Sequence, residues 1–123
     1  MKILVTAGPT REHLDPVRFL SNRSTGRMGF AAAAAAAERG HEVTLVAGPV
    51  ALGTPAGVRR VDVVNAREML EATRRGLAGN EALVMAAAVA DWRPKVCEAV
   101  KVKKSAMLPV IEIEPNPDIL KTL

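Results

Sequence analysis

The sequence predicts an α/β fold, a Rossmann-like open, mainly parallel sheet with helices on both faces. Three observations support it. Short apolar runs rich in β-formers alternate with helical stretches, and Gly or Pro residues close several of those runs. The 123 residues, 49% hydrophobic and 24% charged, fit one folded domain with a buried core. Parallel strands need right-handed crossovers, which the helical stretches supply.

The first half reads as one β-loop-α-β unit. Residues 2–8 (KILVTAG) predict a strand, and residues 9–24 carry turn-forming side chains throughout. Residues 25–39 predict a helix that contains seven consecutive alanines and stops at Gly40. Small side chains allow such a helix to lie close against a sheet. Residues 41–49 predict the next buried strand.

The second half repeats the alternation. Residues 58–64 predict a third strand, and residues 66–78 an amphipathic helix. Residues 81–90 predict a fourth strand that runs into a loop, residues 108–115 a more exposed strand, and residues 116–123 the start of a last helix. In such sheets, ligands bind at the carboxyl ends of the strands.

Composition and charge narrow the function classes. A net charge of +4 favours anionic partners, including phosphorylated metabolites. Nucleic-acid binding is not expected, because aromatic residues are 2% and the basic residues cluster in loops. No apolar run approaches the ~20 residues of a membrane span. The single Cys97 and the absence of a signal peptide predict a cytoplasmic protein. His13 and His41 lack ligand spacing, so no metal site is predicted.

A dinucleotide-dependent oxidoreductase is the obvious alternative for this fold class. The first loop, however, offers only Gly26-Arg-Met-Gly29 and no contiguous Gly-x-Gly-x-x-Gly. The second strand ends LVAGPV, without the acid that binds ribose hydroxyls, and the chain has no tyrosine for short-chain dehydrogenase chemistry. These three absences argue against a dinucleotide-dependent dehydrogenase. An NAD(P) or flavin oxidoreductase of similar topology is kept as a rival hypothesis, beside a non-catalytic nucleotide-binding module.

The segment FLSNRSTGRMGF, residues 19–30, nevertheless suits phosphate. Ser24 and Thr25 are predicted to cap the helix, and Gly26 lets backbone N–H groups approach an anion at its positive end. Three arginines in or beside this segment offer contacts to phosphate or carboxylate: Arg18, Arg23 and Arg27. For Arg23 and Arg27, a position on a solvated surface is an equally good explanation.

Asn22 lies in the same segment. Its amide has a donor and an acceptor, which suit an acyl carbonyl or an incoming amine. An Asn in a turn is also a common backbone cap, and both interpretations stay open.

The stretch TAGPTREHLDPVRFLSNRSTGRMGFA strongly resembles the opening of the phosphopantothenate–cysteine ligases, also called phosphopantothenoylcysteine synthetases. VTLVAGPV, AAAVADWRP, KVKK and NPDIL follow in the order of that family, so the resemblance covers the whole chain. It implies a ligase of coenzyme A biosynthesis. The carboxylate of 4′-phosphopantothenate reacts with CTP to give an acyl-cytidylate and pyrophosphate, and cysteine then captures the acyl group and releases CMP.

The resemblance also implies cofactors and partners. Mg²⁺ accompanies the nucleotide, and a homodimer is the family expectation. Bacterial members usually use CTP and the eukaryotic type ATP, so the sequence leaves the nucleotide open. No flavin is expected, because Met1 opens the first synthetase strand without a preceding decarboxylase. Family domains continue past NPDIL, so residues 1–123 are expected to form a single synthetase domain that lacks its C-terminal portion and full activity.

Site residues follow from the same resemblance. Asn22 is implied to hold the acyl-cytidylate and help its capture by cysteine, Arg18 to assist that second half-reaction, and Lys101 to stabilise the triphosphate. A solvated loop, a plain buried strand and an ordinary helix start are the simpler explanations for Lys101, Met85 and the 117–120 stretch. The implied nucleotide-binding set is Met85, Ala86, Ala87, Asp91, Lys101, Pro117, Asp118, Ile119 and Leu120.

Overall fold

The computed structural model describes residues 1–104 and 110–123. The elements in chain order are β1 (Lys2–Ala7), β2 (Glu12–His13), β3 (Phe19–Leu20), α1 (Arg27–Glu38), β4 (Glu42–Ala47), β5 (Val58–Asp62), α2 (Ala66–Leu77), β6 (Ala82–Met85), β7 (Trp92–Pro94), β8 (Ile113–Pro115) and α3 (Ile119–Thr122). Within these described ranges, no helix is long and apolar enough to cross a membrane.

A four-stranded parallel sheet forms the centre of the fold. Its order is β5-β4-β1-β6, so the third, second, first and fourth long strands lie side by side. In β1, Val5 lies opposite Leu45 of β4 on one side and Val84 of β6 on the other. This order is that of one half of a Rossmann fold. The predicted parallel α/β sheet is confirmed.

The two faces of the sheet are covered by different helices. Successive strand side chains point to opposite faces, so Val5 packs with Phe30 and Ala33 of α1, whereas Leu4 packs with Met69 of α2. Ile119, at the start of α3, completes the α2 side of the core. The prediction of helices on both faces is therefore confirmed.

Two short antiparallel strand pairs were missed by the sequence analysis. Residues 9–24, predicted as turns, contain β2 paired with β3 in antiparallel register. The loop after β6 contains β7, which pairs antiparallel with β8 outside the main sheet. The strand predicted over residues 108–115 is observed only as Ile113–Pro115, with residues 108 and 109 outside the described part. Strands of two or three residues are too short to show the period-2 alternation by which strands are predicted.

The helix starts differ from one another. The predicted capping of α1 by Ser24 and Thr25 is wrong: the N-cap is Gly26 at φ +79°, without a side-chain cap bond. Ser24 Oγ instead accepts a long hydrogen bond, 3.4 Å, from the Gly26 N–H. Helix α2 has an ordinary cap, because Asn65 Oδ1 accepts from the Glu68 N–H at 2.9 Å.

Candidate functional site

Three glycines that are scattered in the sequence meet at the start of α1. Gly8 directly follows β1 and has a positive φ of +82°. A Cβ on Gly26 would lie 3.3 Å from the Gly8 Cα. Gly29 lies in the first turn of α1, where a Cβ would lie only 2.3 Å from the Ala7 Cβ. The turn, close-approach and packing roles of Gly-x-Gly-x-x-Gly are thus filled in space, with residues 9–25 inserted after the first glycine. A search for a contiguous motif misses this arrangement.

Two clefts open beside the N-terminus of α1. The smaller, about 310 Å³, lies between residues 23–29 and Ala86, which follows β6. The larger, about 580 Å³, lies on the β4 side and is lined by Arg11, Ser24, Thr25, Arg27, Pro49, Val50, Ala51 and Leu52. Arg23 lines the smaller cleft and Arg27 lines both. A helix N-terminus carries partial positive charge, so these clefts favour anions.

Buried threonines hold the backbone that leaves β6. The Ala86 N–H donates to the Thr6 carbonyl at 3.1 Å, and the Ala87 N–H lies 3.4 Å from Thr6 Oγ1. Further on, the Ala90 N–H donates to Thr10 Oγ1 at 3.0 Å. Both threonines are fully buried. The sequence analysis missed them, because a Thr inside an apolar strand carries no signal beyond β-propensity.

Asn22 joins the arginine-containing loop, which carries Arg18, Arg23 and Arg27, to this backbone. Its Nδ2 donates to the Ala88 carbonyl at 2.8 Å, and its Oδ1 accepts from the Ser24 N–H at 3.0 Å. The amide therefore serves as a backbone cap, one of the two interpretations left open above. Its contact with an acyl group stays a prediction; the second N–H of Nδ2 and the second lone pair of Oδ1 leave capacity for it beside these hydrogen bonds.

Asp15 is a buried carboxylate that the sequence analysis did not single out. Oδ1 accepts from the Val17 and Arg18 N–H groups at 2.8 and 2.7 Å, and Oδ2 accepts from the Val102 N–H at 3.0 Å. The Val102 hydrogen bond, then those of the turn and the nearby Arg18 charge, lower the pKa of Asp15 against the opposing effect of desolvation. Arg18 and the residue after Lys101 thus meet at one anion.

Asn116 connects two of the predicted nucleotide-binding stretches. Its backbone N–H donates to the Asp91 carbonyl at 2.8 Å, and its Nδ2 donates to the Ala90 carbonyl at 2.8 Å. Arg93 Nη1 in turn donates to Asn116 Oδ1 at 3.1 Å. The side chain of Asp91 is exposed. The sequence analysis passed over Asn116, since an Asn before Pro117 resembles an ordinary turn residue.

The 117–120 stretch has mainly structural contacts. Asp118 caps α3, where Oδ1 accepts from the Lys121 N–H at 3.1 Å. Ile119 is only 4% exposed and packs in the core, whereas Leu120 is 67% exposed. Any contact of Ile119 with a nucleotide must therefore come from its backbone. Among the residues described, no group of three or more His, Cys, Asp and Glu side chains is arranged to hold a metal ion.

Comparison with known proteins identifies the family. A family model described as "DNA/pantothenate metabolism flavoprotein C-terminal domain" matches residues 1–123. The chain belongs to this family. It is 48% identical over 124 residues to the coenzyme A biosynthesis bifunctional protein CoaBC of Vibrio cholerae, and 50% identical over 123 residues to that of Escherichia coli. These alignments cover 99% and 98% of this chain but only 31% and 30% of the relatives, so the chain spans about a third of their length.

A solved structure supports the same assignment. The crystal structure of the C-terminal domain of CoaBC superposes with a TM-score of 0.85 at 47% identity, over 98% of this chain and 56% of that one. The resemblance inferred from the motifs is thereby confirmed, as is the Rossmann-like fold. In this family member, Asn22 contacts Ala88, the residue after the implied 85–87 set, and Asp91 contacts Asn116, the residue before the implied 117–120 stretch. Arg18 and Val102, the residue after Lys101, both contact Asp15.

Proposed function

We propose that this domain is the synthetase of phosphopantothenoylcysteine in coenzyme A biosynthesis. Family membership and 48–50% identity to CoaBC proteins support the proposal. The observation that carries it is structural. The Asn22 amide binds the Ala88 carbonyl, which brings the arginine-containing loop against the segment implied to bind the nucleotide base. Both lie where β1 and β6 end, the edge at which α/β sheets bind ligands.

The reaction requires two anions to meet. In the first step a carboxylate oxygen of 4′-phosphopantothenate attacks the α-phosphorus of CTP, and pyrophosphate leaves. In the second the cysteine amine attacks the acyl carbon, CMP leaves and the nitrogen loses a proton. Cationic groups must offset the repulsion and bind most strongly as charge develops. The N-terminus of α1 and the cleft-lining Arg23 and Arg27 supply positive charge at this edge.

The individual roles proposed here are those that the family resemblance implies. The backbone of Met85, Ala86 and Ala87 reads the base, and Asp91 contacts the nucleoside. Lys101 stabilises the triphosphate, while Asn22 and Arg18 serve the capture by cysteine. Pro117, Asp118, Ile119 and Leu120 border the nucleotide. Mg²⁺ enters with the triphosphate, bound mainly by phosphate oxygens and water. The proposal assigns no flavin to residues 1–123 and takes a cytoplasmic homodimer as the working form.

Calorimetric titration with CTP, ATP and UTP tests the nucleotide assignment. We expect CTP to bind most tightly, and Lys101→Gln to lose roughly 10- to 100-fold in affinity, as for one charge-assisted hydrogen bond worth about 1.5–3 kcal/mol. Lys2→Gln is the matched control, because Lys2 begins β1 at the opposite edge of the sheet. Equal affinity for the three nucleotides, together with no loss in Lys101→Gln, would overturn the assignment.

One observation favours a second candidate, a module that binds nucleotide without catalysis. Both hydrogen bonds of the Asn22 amide join backbone groups, the Ala88 carbonyl and the Ser24 N–H, so a structural role alone accounts for this side chain. Pyrophosphate release separates the two functions. A synthetase releases pyrophosphate from CTP only when 4′-phosphopantothenate is added, whereas a binding module binds CTP and releases none under either condition.

A further inference from the structure

Among the described residues two carboxylates are buried, Glu12 and Asp15. Asp15 is 1% exposed, although it lies in the turn between β2 and β3 and not under a helix of the core. A carboxylate in such a place is costly unless hydrogen bonds compensate for lost hydration. Three backbone N–H groups do so, and the Arg18 guanidinium lies 3.9 Å from Oδ2.

The two oxygens of Asp15 have separate tasks. Oδ1 accepts only from residues two and three positions ahead, Val17 and Arg18, and so shapes the local turn. Oδ2 reaches Val102, which is 87 positions away in the sequence. We propose that Asp15 is a positioning residue, whose Oδ2 fixes the Lys101 segment (residues 95–104) beside Arg18 so that Lys101 reaches the triphosphate of the bound nucleotide. This role rests on the function proposed above.

The Lys101 segment depends on this attachment. Residues 95–104 contain neither helix nor strand. Two hydrogen bonds connect the segment to the turn: the Glu98 N–H donates to the Leu14 carbonyl at 2.9 Å, and the Val102 N–H donates to Asp15. A lysine loses more conformational freedom on binding a phosphate when its backbone is also mobile. Anchoring the adjacent residue lowers that loss, which is how a carboxylate can strengthen anion binding that it opposes electrostatically.

Asp15→Asn separates the two tasks with almost no change in shape. The amide oxygen can keep the Val17 and Arg18 hydrogen bonds, while the new NH₂ group faces the Val102 N–H and the Arg18 guanidinium, donor against donor. The variant therefore breaks the long-range contact and spares the turn. Asp62→Asn is the matched control, because Asp62 is exposed on β5 and pairs with Arg60 at 2.7 Å, away from the Lys101 segment.

The attachment is measured first, by amide hydrogen exchange on the whole chain without nucleotide. We expect the Val102 amide to exchange at least about 10-fold faster in Asp15→Asn, with the Arg18 amide and the whole of Asp62→Asn unchanged. Unchanged protection of Val102 would overturn the attachment. If Asp15→Asn does not fold, Val102→Pro removes the same hydrogen bond from the donor side and is judged by the CTP measurements below.

Calorimetric titration with CTP then tests the positioning role. We expect Asp15→Asn to weaken CTP about as much as Lys101→Gln, and the double variant to be no weaker than either, since both act through one side chain. A purely electrostatic Asp15 predicts the opposite sign, tighter binding once its charge is removed. Tighter binding, or additive losses, would overturn the proposal. Failure of the unsubstituted chain to bind CTP would refute the proposed function, and the Asp15 role with it, even if Val102 is protected.

Discussion

Gly29 determines how closely α1 can approach the sheet. Although the sequence places it in the loop motif Gly26-Arg-Met-Gly29, the structure places it inside the first turn of the helix. A Cβ on Gly29 would lie 2.3 Å from the Ala7 Cβ, 3.0 Å from the Ala7 Cα and 3.1 Å from the Thr6 carbonyl oxygen. Thr6 and Ala7 are fully buried in β1, an inner strand of the sheet, so these atoms have little room to move. Gly29→Ala must therefore push α1 outward.

The magnitude follows from two opposing effects. Ordinary Cβ contacts begin near 3.4 Å, so the helix has to retreat by about 1 Å. Overpacking of this kind costs roughly 1–3 kcal/mol, and the rigidity of β1 favours the upper end. Replacing a helical Gly by Ala returns about 1 kcal/mol through helix propensity. We expect a net loss of about 2 kcal/mol in the free energy of unfolding, or roughly 6–10 °C in Tm for a chain of this size.

Urea and thermal unfolding measure this loss. Gly53→Ala is the control, because no atom lies within 4 Å of its added Cβ and its φ is not positive. It should change the unfolding free energy by less than about 1 kcal/mol. Gly29→Ala should also weaken CTP, because the retreat carries Gly26 and the helix N-terminus away from Ala86. A Gly29→Ala protein as stable as Gly53→Ala would refute the close packing of α1 on β1.

Three further predictions concern single contacts. Because the pKa of Asp15 is lowered in the folded state, its ionised form stabilises the fold above the ordinary value of 3.8, and this contribution is lost as the pH falls through the folded pKa. The difference in unfolding free energy between wild type and Asp15→Asn, measured by urea unfolding, should therefore be constant near neutrality and shrink in acid. A difference that does not depend on pH would contradict this prediction. Asn65→Ala removes the cap of α2 and should cost about 1 kcal/mol in thermal unfolding, whereas Arg67→Ala, at an exposed position in the first turn of the same helix, should change the stability by less than about 0.5 kcal/mol. Asn116→Ala leaves the Ala90 carbonyl without its amide donor; it should lower the unfolding free energy by about 1–3 kcal/mol and weaken CTP in calorimetry, and unchanged CTP affinity would separate Asn116 from the site.

Most of the main sheet could be predicted from the sequence. The six elements of the main sheet and its helices each have a strong local signal, an apolar β-rich run, an alanine tract or an amphipathic period: β1, α1, β4, β5, α2 and β6. Their predicted bounds agree within two residues, except that β6 was predicted over 81–90 and ends at Met85. The short strands carry no such signal. Glu12–His13 pairs with Phe19–Leu20, and Trp92–Pro94 with Ile113–Pro115, because the rest of the fold brings them together. Two or three residues are too few to show a period-2 pattern, and β7 and β8 are too far apart along the chain for one window to pair them.

The candidate site could be predicted as a set of residues but not as a set of contacts. Resemblance named Asn22, Arg18 and Lys101, and nothing yet tests their roles. It passed over Thr6, Thr10, Asp15 and Asn116, whose hydrogen bonds hold the named segments in place. Each is a polar side chain with a distant backbone partner, and a partner 26 to 87 positions away leaves no trace in spacing. Motifs indicate which residues react, whereas the fold decides which residues support them.

The function proposed above assigns a nucleotide base to the backbone of residues 85–87, and the supporting contacts suit that role. Backbone groups that read a base must keep their geometry without a side chain to adjust, and Ala86 and Ala87 contribute only methyl groups. Thr6 holds the start of the segment and Thr10 its end, while Asn22 binds the Ala88 carbonyl between them. A loop fixed at three points loses little conformational entropy when a ligand binds. The free energy gained from a few hydrogen bonds to the base is then not spent on ordering the loop. The seven alanines also help to fix this geometry, because their small side chains let α1 pack closely on the sheet and hold its N-terminus beside that segment.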